Sequence, residues 1–340
     1  SVPAPMTTPD PVVLADMCGK MLVDGATHLV MEASSHALDQ KRMAGMDFRV
    51  GVFTNLTGDH LDYHGTIESY LASKRSLFEQ LSRRATAVIN RDDPHADDFA
   101  EATPAKVIWY GLSPLADVQG RIDKIDADGT SFELIEEDMT VQVHTPLIGR
   151  HNVFNGLAAV SACRALGMTL EEIASTLETI HNVPGRLQRV PTDTGVSVFV
   201  DYAHTDDALR NVLSALRPIT SGRILVVFGC GGDRDTSKRP RMARVAQELA
   251  DRIIITSDNP RTENPEKIID DILAGLDDRG RSVTHIEPDR RRAIANAICQ
   301  AEDGDVVLIA GKGHETYQVI GDEKIHFDDV EVAEECIQKA

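Results

Sequence analysis

The sequence has no cysteines at disulfide-like or metal-like spacing. Its five cysteines, Cys18, Cys163, Cys230, Cys299 and Cys336, are odd in number, scattered, and form no CxxC pair. This argues against a disulfide frame or a zinc knuckle and suits buried thiols in a reducing cytosol, so a cytoplasmic location is expected. No apolar run approaches the roughly 20 residues of a membrane span. Positive charge is scarce: 35 Lys and Arg stand against 54 Asp and Glu, a formal charge of −19. A surface that acidic repels phosphate backbones and anionic lipid, which argues against nucleic acid and membrane as partners. An anionic ligand must then be met by a local basic pocket or by magnesium. The opening Ser1-Val2-Pro3-Ala4-Pro5 has no initiator Met, no basic segment and no apolar segment. No signal peptide is expected, and the chain is expected to begin inside a longer protein. Internal repeats and low-complexity segments are also missing.

What is present is enough for a large core. With 340 residues, 42% of them hydrophobic, two domains are expected. In the first half, short apolar runs at 27–31, 49–53, 87–89 and 107–110 read as strands. Residues 67–81 place Ile67, Tyr70, Leu71, Leu77, Phe78 and Leu81 at helical spacing. Residues 117–143 alternate and are rich in turns, which predicts a small β excursion. Helical patterns follow at 153–166 and 170–180, the second opened by a Thr169/Glu172 capping box. A composition break at 181–191 marks the boundary, giving domains 1–186 and 187–340. The second half is regular. Strand-like runs at 196–200, 224–228, 253–256, 283–286 and 306–310 alternate with helical patterns at 207–216, 239–249, 268–276 and 291–301. Such alternation predicts a doubly wound, mostly parallel sheet whose ligands sit at the carboxyl ends of the strands.

Three polar loops fall at those ends. Gly229-Cys230-Gly231-Gly232-Asp233-Arg234-Asp235 permits close backbone approach. In Ser257-Asp258-Asn259-Pro260-Arg261, Asn259 precedes proline and is kept out of the helical region. Gly311-Lys312-Gly313-His314-Glu315 offers open backbone plus charge. Each alone has a bland reading, a tight turn or a solvated arginine, but three on one sheet edge suggest a site. In the first half, Asn55-Leu56-Thr57-Gly58-Asp59-His60-Leu61-Asp62-Tyr63-His64-Gly65 puts His60, Asp62 and His64 within reach as metal ligands. Lys74 on the next helix reads by itself as a solvated lysine, and Glu32 as a magnesium ligand or a loop cap. Asn152 reads as a helix N-cap.

Taken in order, these segments resemble the Mur ligases. The resemblance rests on Met-Glu-Ala-Ser-Ser-His at 31–36, Phe-Thr-Asn-Leu-Thr-Gly-Asp-His-Leu-Asp-Tyr-His-Gly at 53–65, and His-Asn-Val-Phe-Asn at 151–155. It continues with Pro-Gly-Arg at 184–186, Asp-Tyr-Ala-His-Thr at 201–205, and the Gly-rich loop at 228–235. Asp-Asn-Pro-Arg at 258–261 and Ala-Gly-Lys-Gly-His-Glu at 310–315 complete it. Each motif is weak alone; the ordered set covers essentially the whole chain. The resemblance implies an α/β protein with a P-loop-type central domain, truncated at its start, followed by a doubly wound Rossmann-like C-terminal domain. It implies ATP-dependent joining of an amino acid to a UDP-linked muramoyl dipeptide through an acyl phosphate, with ATP and magnesium required and a monomer expected. It makes Glu32, His60 and Lys74 catalytic groups and magnesium ligands, Lys74 through carbamylation. Asn152, Asn155, Arg186, Asp201 and His204 become ATP contacts. Thr7, Thr8, Ser34, Gln40 and Arg42 become contacts to the UDP-muramoyl substrate. Arg234, Asp258, Asn259, Pro260, Arg261, Gly311 and Glu315 become the amino-acid pocket. Arg261 points to the diaminopimelate-adding branch: meso-diaminopimelate ends in an ammonium and a carboxylate, lysine in an ammonium alone, and a guanidinium grips a carboxylate with two prongs.

Two departures stand out. No GxxxxGK[ST] occurs, and Gly311-Lys312-Gly313 does not replace it. The resemblance places the P-loop and a uridine-binding domain upstream, so the chain by itself is expected to bind ATP poorly and be inactive. Asp206 stands where proline is usual; it starts a helix, where an acid is favourable. Three rivals remain at this point: a lysine-adding or folylpolyglutamate-forming sister ligase, a metal-dependent hydrolase built on His60, Asp62 and His64, and a module that only binds an amino acid.

Overall fold

The computed structural model describes residues 6–56, 61–180 and 183–339. The chain forms two compact units. One comprises Ser1–Ile122, Phe132–Val143 and His151–Leu177, the other Asp123–Ser131, His144–Arg150 and Glu178–Ala340.

The first half runs α1 (Pro11–Val23), α2 (Ser35–Asp39), β1 (Val50–Phe53), α3 (Leu61–His64), α4 (Ile67–Glu79), β2 (Thr86–Asn90), α5 (Ala96–Ala102), β3 (Lys106–Gly111), β4 (Val118–Asp126), β5 (Gly129–Glu136), β6 (Met139–Thr145), α6 (Arg150–Ala165) and α7 (Leu170–Glu178). The six strands form one sheet in sequence order, and β1 to β4 pair parallel in turn. The β excursion of 117–143 is therefore β4 to β6. Helix α4 starts where the Thr66 hydroxyl accepts from the Ser69 N–H. It buries Tyr70, Leu77 and Phe78, the stripe predicted by its spacing. Phe53 of β1 stacks on Phe99 of α5 at 3.8 Å, with Phe78 edge-on to Phe99 at 5.2 Å, which locks both helices to the sheet. The Thr169/Glu172 box is reciprocal: the Glu172 N–H donates to the Thr169 hydroxyl (3.3 Å), and the Thr169 N–H donates to the Glu172 carboxylate (2.9 Å). Thr169→Ala should lower stability by about 1 kcal/mol, read as a shift in the urea midpoint; an unchanged midpoint would contradict this capping role.

Residues 27–31, expected as a strand, form none. Residues 27–30 are exposed, Val30 at 94%, and among the described residues β1 is an edge strand paired with β2 alone. An apolar run becomes a parallel strand only where a neighbour completes its ladder and both faces are covered. Asn152 lies inside the first turn of α6, which begins at Arg150, so it is not the N-cap.

The second half runs β7 (Gln188–Val190), β8 (Ser197–Asp201), α8 (Asp206–Leu216), β9 (Ile224–Phe228), α9 (Lys238–Leu249), β10 (Arg252–Ile255), α10 (Pro265–Leu273), α11 (Asp278–Ser282), β11 (Thr284–Ile286), α12 (Arg290–Gln300), β12 (Val306–Ala310), β13 (Tyr317–Ile320), β14 (Glu323–His326) and α13 (Asp329–Ile337). The sheet order is β11-β10-β9-β12-β8-β7, parallel except for β7. Strands β9 and β12 are buried at every residue, which is why they read as unbroken apolar runs. One core packs α8, α9 and α10 against one face; a second packs α12 and α13 against the other. Asp206 starts α8 behind the Thr205 cap. Because β8, β9, β10 and β12 run the same way, the loops after Asp201, Phe228, Ile255 and Ala310 leave one edge of the sheet.

Candidate functional site

The three loops at that edge converge. Gly232 packs against Pro260, which is buried: a Cβ on Gly232 would stand 1.9 Å from the Pro260 carbonyl oxygen. Gly311 has φ +120°, and a Cβ there would stand 2.7 Å from Oδ2 of Asp258. Both positions require glycine if the loops are to meet. A second network ties the first loop to the second. Arg239, fully buried, donates to Glu263 (2.9 and 3.0 Å), Asp271 (2.8 Å) and the Gly231 carbonyl (3.3 Å). Glu263 in turn accepts from the Asp233 N–H (2.5 Å), and the Asp233 carboxylate accepts from the Thr262 hydroxyl (2.9 Å). Arg239 and the Asp233 N–H hold the Glu263 carboxyl below its usual range.

Arg261 occupies the left-handed region at φ +52°, a conformation that favours glycine and is costly for a long side chain. The hairpin β13–β14 keeps it there. The Arg261 N–H donates to the Val319 carbonyl (3.1 Å), and the Gly321 N–H donates to the Arg261 carbonyl (2.8 Å). Its Nη1 donates to the Gly232 carbonyl (2.8 Å), which lays the half-buried guanidinium over the glycine-rich turn. Arg234, in the same turn, is exposed.

Beside Arg261 lies a buried polar cluster. Asn259 donates through Nδ2 to Oε2 of Glu315 (2.9 Å) and accepts at Oδ1 from the Val319 N–H (2.9 Å) and Lys312 Nζ (3.3 Å). Lys312 is fully buried, 3.2 Å from Oε2 of Glu315. Gln318 donates to the Asp258 carbonyl at 2.6 Å. Below, Arg290 and Asp329 form a two-pronged ion pair at 2.7 and 2.8 Å, both side chains fully buried, and Arg290 also donates to the Ala310 carbonyl (3.0 Å). Burial pulls the Arg290 guanidinium down, but Asp329, Asp258 and Glu315 outweigh it and hold it above its ordinary value. Burial pushes the Cys230 thiol up to about 12, so it is an inert packing group rather than a nucleophile. The loop of Lys312 is legible as part of the site but its burial is not, and nothing in the sequence marks Gln318 or Arg290 as members of this cluster. A lysine between two glycines resembles a piece of a phosphate loop, and nothing separates Arg290 from the adjacent Arg291 and Arg292. For the hairpin the sequence offers only a Gly321-Asp322 turn between short, weakly alternating runs.

At the end of β8, both carboxylate oxygens of Asp201 accept backbone N–H groups, from Leu187 (2.7 Å) and Ala203 (2.8 Å). Arg186 lies over the Tyr202 ring at 5.1 Å, and His204 sits 4.7 Å from that ring and 2.9 Å from the Tyr202 carbonyl. Burial, with Glu315 second, raises the Tyr202 hydroxyl above its usual value. These three candidates belong to the second unit; Asn152 and Asn155, 3.2 Å apart, belong to the first.

The first unit gathers another group. The Thr8 hydroxyl, buried, donates to the Glu32 carbonyl (2.8 Å) and lies 3.3 Å from the Ser34 hydroxyl. Ser34 caps α2. Arg42 donates to the Thr8 carbonyl (2.9 Å) and to Gln40 (2.6 Å); Gln40 donates to the Tyr63 hydroxyl (3.1 Å). His36 packs 4.1 Å from the Tyr63 ring, and His64 sits 3.0 Å from the Ser35 hydroxyl. Thr7 and Glu32 are exposed, and Lys74 is half-buried over Tyr70 at 5.2 Å. His60 lies outside the described residues. Among the described residues, no three His, Cys, Asp or Glu side chains converge as a metal site. The donor set fits magnesium only in part. Glu32 offers a hard oxygen, whereas the ammonium of Lys74 is no ligand until carbamylation turns it into an oxygen donor.

Comparison with known proteins places these features in a family. Residues 2–163 match the Mur ligase middle domain, and residues 185–313 match the Mur ligase, glutamate ligase domain. Among curated relatives, UDP-N-acetylmuramoyl-L-alanyl-D-glutamate--2,6-diaminopimelate ligase of Geobacillus kaustophilus is 46% identical, covering 100% of this chain and 70% of its own length. That of Gloeobacter violaceus is 49% identical, covering 98% of this chain and 68% of its own length. A solved structure of a ligase of that name is 40% identical and covers 99% of this chain and 69% of its own, with a TM-score of 0.72. A Mycobacterium tuberculosis folylpolyglutamate synthase shares only the fold, at 20% identity, covering 77% of this chain and 61% of its own, with a TM-score of 0.61. Two domain matches in order, relatives aligned along essentially the whole chain and a parallel sheet with its loops on one edge lead to one conclusion: this chain belongs to the Mur ligase family.

Proposed function

We propose that the protein joins meso-2,6-diaminopimelate to UDP-N-acetylmuramoyl-L-alanyl-D-glutamate with ATP, a step in peptidoglycan precursor synthesis in the cytoplasm. The observation that carries this reading is Arg261, held in a costly backbone conformation over the glycine turn and on the same loop as Asp258 and as Asn259, whose amide holds Glu315. A diamino diacid needs both signs of charge at its far end. Arg261, with Arg234, meets the carboxylate, while Asp258 and Glu315 meet the ammonium; Asn259, Pro260 and Gly311 shape the walls. Lysine leaves the guanidinium without an acid and sets two cations together, a mismatch that disfavours it.

The chemistry transfers the γ-phosphoryl group of ATP to the D-glutamate carboxylate and releases ADP. The amine of diaminopimelate attacks the resulting acyl phosphate and loses a proton; phosphate departs as the amide forms. Residues 1–186 are assigned to the ATPase domain and residues 187–340 to the amino-acid domain, although the compact units divide earlier, at 177/178, and place Arg186 in the second. Thr7, Thr8, Ser34, Gln40 and Arg42 orient the muramoyl dipeptide. Asn152, Asn155, Arg186, Asp201 and His204 contact ATP. Glu32, His60 and carbamylated Lys74 would hold magnesium, which screens the crowded phosphate and carboxylate charges when bound.

The complete gene product, given both substrates and ATP, should form ADP, phosphate and the muramoyl tripeptide in equal amounts, read by mass spectrometry and phosphate release. Metal-dependent ester cleavage without ATP, and no tripeptide, would favour a hydrolase instead.

A further inference from the structure

We propose that Lys312 is a positioning residue of the amino-acid pocket. Its buried ammonium fixes one oxygen of Glu315 and the amide of Asn259, so that the other Glu315 oxygen is aimed at the substrate ammonium. This rests on the reading above, that the pocket takes meso-diaminopimelate.

A fully buried ammonium is costly unless every direction is matched. Lys312 meets Oε2 of Glu315 at 3.2 Å, Oδ1 of Asn259 at 3.3 Å and the ring of Tyr317 at 5.6 Å. The burial follows from Gly311 and Gly313, at φ +120° and +53°, which turn the chain inward at the end of β12. Asn259 can satisfy its neighbours in only one amide orientation. Its oxygen accepts from Lys312 and the Val319 N–H, and its nitrogen donates to Glu315. Glu315 therefore receives two donors on Oε2, while among the described residues Oε1 receives none; the side chain keeps 20% of its surface exposed. One oxygen is anchored and the other is offered. Without the lysine, Oε2 keeps a single neutral donor and the carboxylate is free to swing. Loss of a fixed contact geometry of this kind costs about ten- to a hundredfold.

The test uses the complete gene product. Lys312→Met should raise KM for meso-diaminopimelate about tenfold or more, leaving kcat and the KM values for ATP and the muramoyl dipeptide within about twofold. Added to Glu315→Gln, the same change should alter that KM by less than about twofold, because the group it positions is already disabled. Melting curves of all variants are recorded alongside. An unchanged diaminopimelate KM in folded Lys312→Met, an equal rise for all three substrates, or an undiminished effect in the Glu315→Gln background would each overturn the proposal. Should Lys312→Met fail to fold, Lys312→Met/Glu315→Met, which leaves no lone buried charge, replaces it. A KM matching Glu315→Met supports the coupling; a worse KM, or an unfolded double variant, makes Lys312 a core residue and overturns it. A wild-type protein that consumes no diaminopimelate at all would instead sink the functional reading, and is told apart by that result.

Discussion

Arg261→Gly is expected to lower kcat/KM for meso-diaminopimelate by about a hundred- to a thousandfold without lowering stability. The loss follows from removing one partner of a desolvated charge pair, about 3–5 kcal/mol, at about 1.4 kcal/mol per decade. Stability is spared because the position already has φ +52°, where glycine relieves strain. The two readouts separate roles that one readout would confuse. If the arginine only pinned the turn through its bond to the Gly232 carbonyl, glycine would lower the melting temperature and affect all substrates alike. Arg261→Lys should recover little, because an ammonium cannot present two parallel donors to a carboxylate.

The second large effect lies under the pocket. Arg290→Met leaves the fully buried Asp329 without its partner, and a lone buried charge destabilises by about 3–5 kcal/mol. The single tryptophan, Trp109, belongs to the first unit, so its fluorescence is a poor probe here. Hydrogen exchange of the β12 amides is the better one, with an expected acceleration of two decades or more where exchange follows the opening equilibrium. Arg290→Met/Asp329→Leu should recover most of the loss, because two apolar groups leave no charge uncompensated. Equal exchange in the single and double variants would contradict this account of the pair.

How much of this was legible in the sequence depended on burial. The runs 224–228 and 306–310 were readable because strands covered on both faces are apolar throughout, and helix α8 because its apolar stripe faces one core. Residues 27–31 misled for the same reason: an apolar run signals a strand only when something pairs with it. The hairpin β13–β14 was missed because its residues are largely exposed and alternate weakly, yet it holds the backbone of Arg261. Helix α13 was missed too, although Asp328 caps it. Arg261 itself was legible only through the family resemblance, since alone it reads as a solvated arginine. Its left-handed backbone was not. Nor was the burial of Lys312, whose glycine neighbours suggest an exposed loop.

The most direct measurement is the ratio of kcat/KM for meso-diaminopimelate to that for lysine in the complete, unmodified protein. A guanidinium that waits for a second carboxylate predicts a preference of about a thousandfold or more. Comparable values for the two amino acids would contradict it, since the carboxylate that lysine lacks would then go unread.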